Sequence, residues 1–185
     1  EAFIDRLIVG KLPKIGKISL SYFSDKRGRI LTEMSIMKNS QNHFTLITAA
    51  AAQWHDYELL KSSIEPNSDI SIEDTSSEVS TLIVTGPKSR DLLTRITDAD
   101  LSQPWLTHQK AFLDSMPVIL ARVSFAGELG WEIHVENKYL IPIYEKIILL
   151  GAKPFGMFAL NSLRIEKGYR AWKGDLSSDY SILEG

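Results

Sequence analysis

VSFAGELGWEIHV, residues Val123–Val135, is the stretch that decides the fold. Apolar and polar residues alternate on both sides of the segment AGELG, as is typical of two antiparallel strands joined by a glycine-containing turn. If Phe125 pairs with Trp131 across this turn, Trp131 faces one side of the sheet. Alternation then puts Glu132 and His134 on the opposite side. A strand does not require a carboxylate at Glu132, so this side chain is a candidate for function.

The spacing alone leaves two explanations of Glu132 open. Antiparallel sheets often turn one face to water, and Glu132 could form a surface ion pair with Arg122 on that face, worth about 0–1 kcal/mol. Alternatively, the carboxylate binds a ligand. His134 and Ser124 share the same predicted face. Because no second histidine stands at metal-ligand spacing from His134, we expect no metal site.

A second hairpin is predicted over residues 17–38, with its turn in SDKRG and Gly28 supplying the positive φ that closes it. Its return strand carries Glu33, either as a charge that protects a sheet edge from aggregation or as a functional carboxylate. Alternation places the strand residues on two faces. One face holds Ile30, Thr32, Met34 and Ile36, and the other holds Leu31, Glu33, Ser35 and Met37.

The remaining predicted elements mix strands and helices without a strict β-α-β order. They are strands at 43–48 and 81–85 (the second short and buried) and helices at 50–62, 86–97, 139–150 and 158–167, with Pro87 at the first position of the 86–97 helix. This order predicts an α+β fold with largely antiparallel sheets and flanking helices. Each half of the chain has a hairpin with an acidic residue in its return strand, followed by a helix. This repeated order leaves an internal duplication as an open alternative.

Arg164 lies in the last predicted helix. Leu160, Leu163 and Lys167 are assigned to one stripe of that helix and Arg164 to another. The guanidinium either pairs with an acid on a core helix or binds a ligand carboxylate through its planar fork.

Composition narrows the class of protein. A chain of 185 residues that is 44% hydrophobic can form one domain or two small lobes around a core. The net charge of −2 argues against a nucleic-acid or anionic-membrane partner. There is no cysteine, no apolar run near the ~20 residues of a membrane span, and no visible signal peptide. We expect a reducing compartment, either the cytoplasm or the mitochondrial matrix in a eukaryote.

Several sequence motifs common in enzymes are missing from this chain. There is no G-x-S-x-G nucleophile motif, no G-x-G-x-x-G after a strand and no Walker sequence. Nucleotide-phosphate binding within these residues is therefore not expected. The chain opens with Glu1 and stops at SILEG, so we expect it to be a piece of a longer polypeptide.

Four segments, in order, resemble a known family: GRILTEMSIMK, LIVTGPKSRDLL, VSFAGELGWEIHV and LNSLRIEKGYRAWKGD. Together they are similar to the folate-binding aminomethyltransferases, which include the glycine cleavage T-protein and the C-terminal halves of dimethylglycine and sarcosine dehydrogenases. The G-E-L-G-W-E and L-R-x-E-K-G-Y-R-x-W elements are most like the dehydrogenase branch. The resemblance covers residues 1–185 as a single folate-binding domain of the T-protein type.

The resemblance implies a reduced folate held in a central cleft, with a following C-terminal barrel domain absent from this sequence. By position, Glu33 would lie next to the reacting nitrogens as the catalytic carboxylate, and Glu132 would bind the pterin ring. Arg164 would contact the ligand or substrate. Phe125 stands where relatives usually have tyrosine, so its ring can stack but the hydroxyl is lost. The other expected cleft residues are Met34, Ser35, Ile133 and His134.

The function implied is tetrahydrofolate-dependent transfer of an aminomethyl or methylene unit from an iminium derived from an N-methyl amine. The cofactor is tetrahydrofolate, and FAD would belong only to an upstream domain outside this chain. The expected partners are a small amine substrate and a flavin dehydrogenase domain or subunit. A non-catalytic folate-binding or regulatory module is the alternative, and a structural domain is a third possibility. A related folate protein of iron–sulfur assembly has a K-G-C-x-x-G-Q-E element, whereas EKGYRAWKG here has no cysteine.

Overall fold

The structure is a computed structural model that describes residues 1–185. The chain is α+β with antiparallel sheets, which confirms the predicted fold class. It divides into two compact units: unit 1 comprises residues 1–74 and 170–185, and unit 2 comprises residues 75–169.

Unit 1 contains a three-stranded antiparallel sheet in the order β1-β2-β3 and confirms the hairpin predicted over residues 17–38. Gly28 closes its turn with φ +74°. The elements are α1 (Ala2–Leu7), β1 (Ile18–Ser24), β2 (Ile30–Lys38), β3 (Phe44–Ile47), a 3-10 helix (Ala50–Ala52) and α2 (Gln53–Ser62). A 3-10 turn at Ile182–Glu184 closes the chain.

The core of unit 1 is built on the buried face of β2. Ile30, Thr32, Met34 and Ile36 are all nearly inaccessible, as alternation predicted. Met34 and Ile36 pack in one apolar cluster with Ile4 and Ile8 from the N-terminal segment and Leu60 of α2. Burial of each large aliphatic side chain contributes about 1.5–3 kcal/mol.

One buried carboxylate ties α2 to the sheet of unit 1. Asp56 accepts hydrogen bonds from the hydroxyls of Thr32 and Thr48, and its other oxygen lies 2.8 Å from His55 Nδ1. These partners satisfy a charge that would otherwise be costly to bury. Asp56 therefore has a structural explanation and is not a site candidate.

The C-terminal residues of the chain return to unit 1 beside the start of β2. The amide of Ile30 donates to the Tyr180 carbonyl at 3.1 Å, and the amide of Ile182 donates to the Gly28 carbonyl at 3.1 Å. These bonds satisfy main-chain groups at the hairpin turn.

Unit 2 contains a four-stranded antiparallel sheet in the order β4-β7-β6-β5. Its elements are β4 (Val79–Thr85), α3 (Ser89–Leu93), β5 (His108–Leu113), β6 (Met116–Ala121), β7 (Gly130–Glu136), α4 (Asn137–Leu149) and α5 (Met157–Glu166). Trp131, Ile133 and Val135 of β7 are buried against Ile143 and Ile147 of α4. No helix of the chain combines the length and apolar character needed to cross a membrane.

Three local predictions in unit 2 were wrong. The strand β5 was missed, because its exposed Phe112 faces away from the core and obscures the period-two pattern. The helix predicted from Gly86 begins only at Ser89, so Pro87 lies in the turn before it. The strand predicted as short and buried is longer and half-exposed, since β4 is an edge strand.

Candidate functional site

Glu33 lies on β2, the central strand of the sheet in unit 1. An edge-protecting charge is therefore the wrong explanation for it. Burial raises the pKa of the Glu33 carboxyl, and neither a hydrogen bond nor a nearby cation offsets that burial. A carboxylate held in this state is destabilised when charged, which is common at sites that bind or react with a cation or a donor.

Tyr22 is the residue directly opposite Glu33 in the β1–β2 pairing. Side chains at such positions lie on the same face of the sheet. Burial raises the pKa of the Tyr22 phenol, the negative charge of Glu33 raises it further, and Arg170 lowers it. The environment of Glu33 thus contains a protonated phenol, a feature that the sequence analysis did not identify.

Glu132 and His134 share one face of β7 in unit 2, as alternation predicted. Glu132 pairs with Ala121 of β6 and Ile83 of β4, and His134 pairs with Thr81 of β4. The Nδ1 atom of His134 lies 2.9 Å from the Thr81 hydroxyl. Its Nε2 atom lies 3.5 Å from Glu132 Oε2.

Burial shifts the pKa values of both Glu132 and His134. Burial raises the pKa of the Glu132 carboxyl. Burial, with a smaller effect of His108, lowers the pKa of His134 to about 4. The imidazole is therefore neutral near pH 7, and its contact with Glu132 is not an ion pair.

The prediction of a surface ion pair between Glu132 and Arg122 is wrong. Arg122 follows the end of β6, where its Nη1 donates to the Gly130 carbonyl at 3.1 Å. Its guanidinium carbon lies 4.9 Å from the centre of the Trp131 ring, a cation–π contact. Glu132 is therefore a second partly buried carboxylate without a cation to neutralise it.

Phe125 does not pair with Trp131. The strands β6 and β7 are joined by residues 122–129, and Phe125 lies in a turn of this loop, half-buried. Strand alternation therefore does not apply to Phe125.

The glycines before Glu132 are required by packing inside unit 2. A Cβ atom on Gly130 would lie 2.8 Å from the Val84 carbonyl oxygen, and one on Gly127 would lie 2.1 Å from Lys167 Cγ. Gly127 also has φ +74°. Both glycines therefore permit close packing, of β7 against β4 at Gly130 and of the loop against Lys167 at Gly127.

We expect Gly130→Ala to lower the free energy of unfolding by about 1–3 kcal/mol, because the added methyl group meets main-chain atoms of β4 that cannot move independently. Urea denaturation measures this change. Gly174→Ala is the matched control, since a Cβ there meets only Ala171 at ordinary contact distances of 3.7 and 3.8 Å. Equal stability of the two variants would contradict the close approach of β7 to β4.

Arg164 is on the same buried stripe of α5 as Leu160, so its assignment to a separate stripe was wrong. Its Nε and Nη2 donate to Asn161 Oδ1 at 2.9 and 2.6 Å, and its Nη1 donates to the Tyr169 carbonyl at 2.8 Å. These bonds orient the guanidinium at the C-terminal end of the helix. Its contact with a ligand stays a prediction.

The other predicted site residues differ in what they can offer. The side chains of Met34 and Ile133 are buried in the apolar cores of units 1 and 2, on the faces opposite Glu33 and Glu132. They can serve a ligand only through their main chain. Ser35 is half-buried on the face of Glu33. No group of three His, Asp or Glu side chains is placed to hold a metal ion.

Thr81 is a second residue, after Tyr22, that the sequence did not indicate. Its contact with His134 depends on the pairing of β4 with β7, strands separated by more than forty residues. A period-two pattern places a residue on a face but does not choose the partner strand.

The fold and the two carboxylates define a class of protein: an α+β chain with two antiparallel sheets, each with a desolvated glutamate on a strand. Within this class, the chain belongs to the GCVT N-terminal domain family, which matches residues 1–185. The resemblance identified from the sequence is therefore confirmed.

Individual relatives agree with this assignment. The chain is 32% identical over 189 residues to dimethylglycine dehydrogenase, mitochondrial, from Rattus norvegicus, covering 98% of this chain and 22% of the relative. It is 30% identical over 190 residues to the aminomethyltransferase of Thermoanaerobacter sp. (strain X514), covering 98% of this chain and 51% of the relative.

A solved structure shares the fold. The glycine cleavage system aminomethyltransferase T from Bartonella henselae superposes with a TM-score of 0.79 at 22% identity, covering 97% of this chain and 49% of that one. The chain thus spans about half the length of the aminomethyltransferases and 22% of the dehydrogenase.

Proposed function

We propose that this chain binds tetrahydrofolate and transfers a one-carbon unit to it from an iminium derived from an N-methyl amine. The observation that supports this most is the state of Glu33 and Glu132. Each is a strand carboxylate whose burial raises its pKa with no cation in the chain to offset it. Each such group is suited to receive N–H donors or a cation from a ligand.

Glu132 is proposed to bind the pterin ring. A pterin presents a flat amide–guanidine edge with adjacent N–H donors, and a carboxylate accepts two such donors in a fork. The ligand would supply the hydrogen bonds that the protein does not give to Glu132. Phe125, in the loop before β7, is proposed to stack on the ligand.

Glu33 is proposed to be the catalytic residue. A folate nitrogen adds to the carbon of the iminium cation, and the donor amine then leaves with the electron pair of its C–N bond and takes up a proton. Closing the second C–N bond on the folate releases a proton. A carboxylate in a water-poor environment stabilises the cation and accepts that proton. The raised pKa of Glu33 brings its basicity closer to neutral pH, as a general base requires.

Four further residues have proposed contacts with the ligand. Arg164, held by Asn161 and the Tyr169 carbonyl, has a fixed guanidinium suited to a carboxylate. Ser35 offers a hydroxyl on the face of Glu33. Met34 and Ile133 would contribute main-chain groups only.

We propose that the domain acts within a protein like dimethylglycine or sarcosine dehydrogenase. The similarity to the rat dehydrogenase over 98% of this chain supports this context. A flavin-containing domain or subunit would then oxidise the N-methyl amine and supply the iminium. The alternative is a folate-binding module without turnover. In that case Glu132 would still bind the pterin ring, and Glu33 would have no catalytic role.

Binding and turnover can be tested separately. Calorimetric titration with tetrahydrofolate measures binding. Conversion of 5,10-methylenetetrahydrofolate to tetrahydrofolate in the presence of N-methylglycine measures the reverse transfer, in which the amine takes the methylene carbon as an iminium. Binding with turnover supports the enzyme, binding without turnover supports the alternative, and no binding rejects both.

We expect Glu132→Ala to weaken tetrahydrofolate binding by about 1–3 kcal/mol, because the pterin donors lose their acceptor. The dissociation constant from calorimetry gives this value directly. Glu128→Ala is the matched control, since Glu128 is exposed in the loop before β7 and pairs with Lys167 at 3.4 Å. Equal affinity of the two variants would remove Glu132 from the binding site.

A further inference from the structure

The Nε2 atom of His134 is buried but makes no hydrogen bond. The side chain is only 7% exposed. An acceptor on the same face of β7, Glu132 Oε2, lies 3.5 Å from Nε2, slightly beyond good hydrogen-bond length. The opposite nitrogen, Nδ1, is already held at 2.9 Å by the Thr81 hydroxyl.

The neighbours of the ring select one tautomer. A neutral imidazole carries its hydrogen on either Nδ1 or Nε2, and the threonine hydroxyl can donate to or accept from Nδ1. The carboxylate of Glu132 can only accept when it is ionised. A bare Nε2 lone pair facing it would be repelled, whereas Nε2–H is attracted. The favoured arrangement has Thr81 donating to Nδ1 and Nε2–H directed at Glu132.

We propose that Thr81 and His134 are positioning residues for Glu132. The Thr81 hydroxyl fixes the tautomer and orientation of the imidazole, and Nε2–H then holds one carboxylate oxygen of Glu132. A small rotation of the carboxylate closes the 3.5 Å separation to hydrogen-bond length. This inference rests on the proposed role of Glu132 as the acceptor for the pterin donors.

The Glu132 carboxylate is then already oriented for the ligand before binding. With one oxygen held by His134, the carboxylate cannot rotate freely, and its remaining lone pairs keep a fixed direction. The hydrogen bond also favours the ionised form, which opposes the effect of burial on Glu132. A ligand with N–H donors then loses less free energy in ordering its acceptor.

The wild-type protein provides the first test, which requires no ligand. Nitrogen-15 NMR of the imidazoles distinguishes a protonated nitrogen from a bare one. The chain has four histidines, so the loss of one set of signals in His134→Gln assigns His134. We expect hydrogen on Nε2 and a bare Nδ1 near pH 7. Hydrogen on Nδ1 would overturn the proposal.

The second test changes the hydroxyl alone. Thr81→Val removes it with little change in shape, and Thr81→Ser keeps it. We expect Thr81→Val to raise the dissociation constant for tetrahydrofolate by about fivefold to tenfold and to change the tautomer of His134, while Thr81→Ser restores both. Thr94→Val is the control, because its hydroxyl bonds only to the Asp91 carbonyl on α3.

The outcomes separate this inference from the proposed function. If the wild type does not bind tetrahydrofolate, the proposed function fails, and the NMR measurement still decides the tautomer. If the wild type binds and Thr81→Val binds equally well, the positioning role of Thr81 is rejected while the role of Glu132 stands. A Thr81→Ser variant that behaves like Thr81→Val would show that shape matters rather than the hydroxyl, which also rejects the proposal.

Discussion

Glu33→Gln is expected to lower the rate of one-carbon transfer by about 100-fold to 10,000-fold while tetrahydrofolate binds with nearly unchanged affinity. Glutamine keeps the size of the side chain but removes the charge that stabilises the iminium and the basicity that accepts the proton. The measurement is the conversion of 5,10-methylenetetrahydrofolate in the presence of N-methylglycine, together with a calorimetric titration of the same sample.

The structure predicts a second effect of this substitution. Burial disfavours the charged form of Glu33, and no hydrogen bond or cation in the chain compensates. A neutral glutamine should therefore leave the protein as stable as the wild type or more stable, which is common when a functional group is removed. Glu58→Gln, on the exposed side of α2, is the matched control and should change neither rate nor stability. Wild-type turnover in Glu33→Gln would reject the catalytic role.

Local alternation predicted the part of the site that lies within single strands. The repeats in β2 and β7 placed Glu33 and Glu132 on the faces opposite Met34 and Ile133, and the structure agrees. Sequence similarity then predicted the family, which the match over residues 1–185 confirms. Both signals depend on short segments whose residues are adjacent in the chain.

The features that sequence did not predict depend on the pairing of distant strands. Whether Glu33 was an edge charge required the strand order of its sheet, and the contact of Thr81 with His134 required the register of β4 on β7. Arg122 was assigned to Glu132 from its predicted face, but it follows the end of β6 and reaches the Gly130 carbonyl and the Trp131 ring. Periodicity cannot provide this information, because it contains no long-range register.

Acid is expected to destabilise the protein through His134. The pKa of His134 is about 4 in the folded chain and about 6.5 in the unfolded chain. Between these values the unfolded state binds a proton that the folded state does not, so the free energy of unfolding falls as the pH falls. The contribution of His134 to the free energy of unfolding is at its full value above pH 6.5 and is lost by pH 4. A shift of this size corresponds to about 3 kcal/mol.

Glu33 and Glu132 act in the opposite direction over part of the same range, so the contribution of His134 must be isolated by comparison with a variant. Their folded pKa values are raised, so the folded state binds their protons first as the pH falls, which adds stability. Because Glu132 contacts His134, the comparison is made with Glu132→Gln in both proteins, where the difference in unfolding free energy between the chain that keeps His134 and the chain with His134→Gln cancels the contribution of Glu33. We expect that difference to shift by about 3 kcal/mol against the chain that keeps His134 between pH 6.5 and pH 4, measured by urea denaturation with circular dichroism. His43→Gln, at an exposed loop position, should show no such shift. A constant difference for His134→Gln would mean that this imidazole is charged or solvated in the folded chain, and the neutral ring that orients Glu132 would be lost with it.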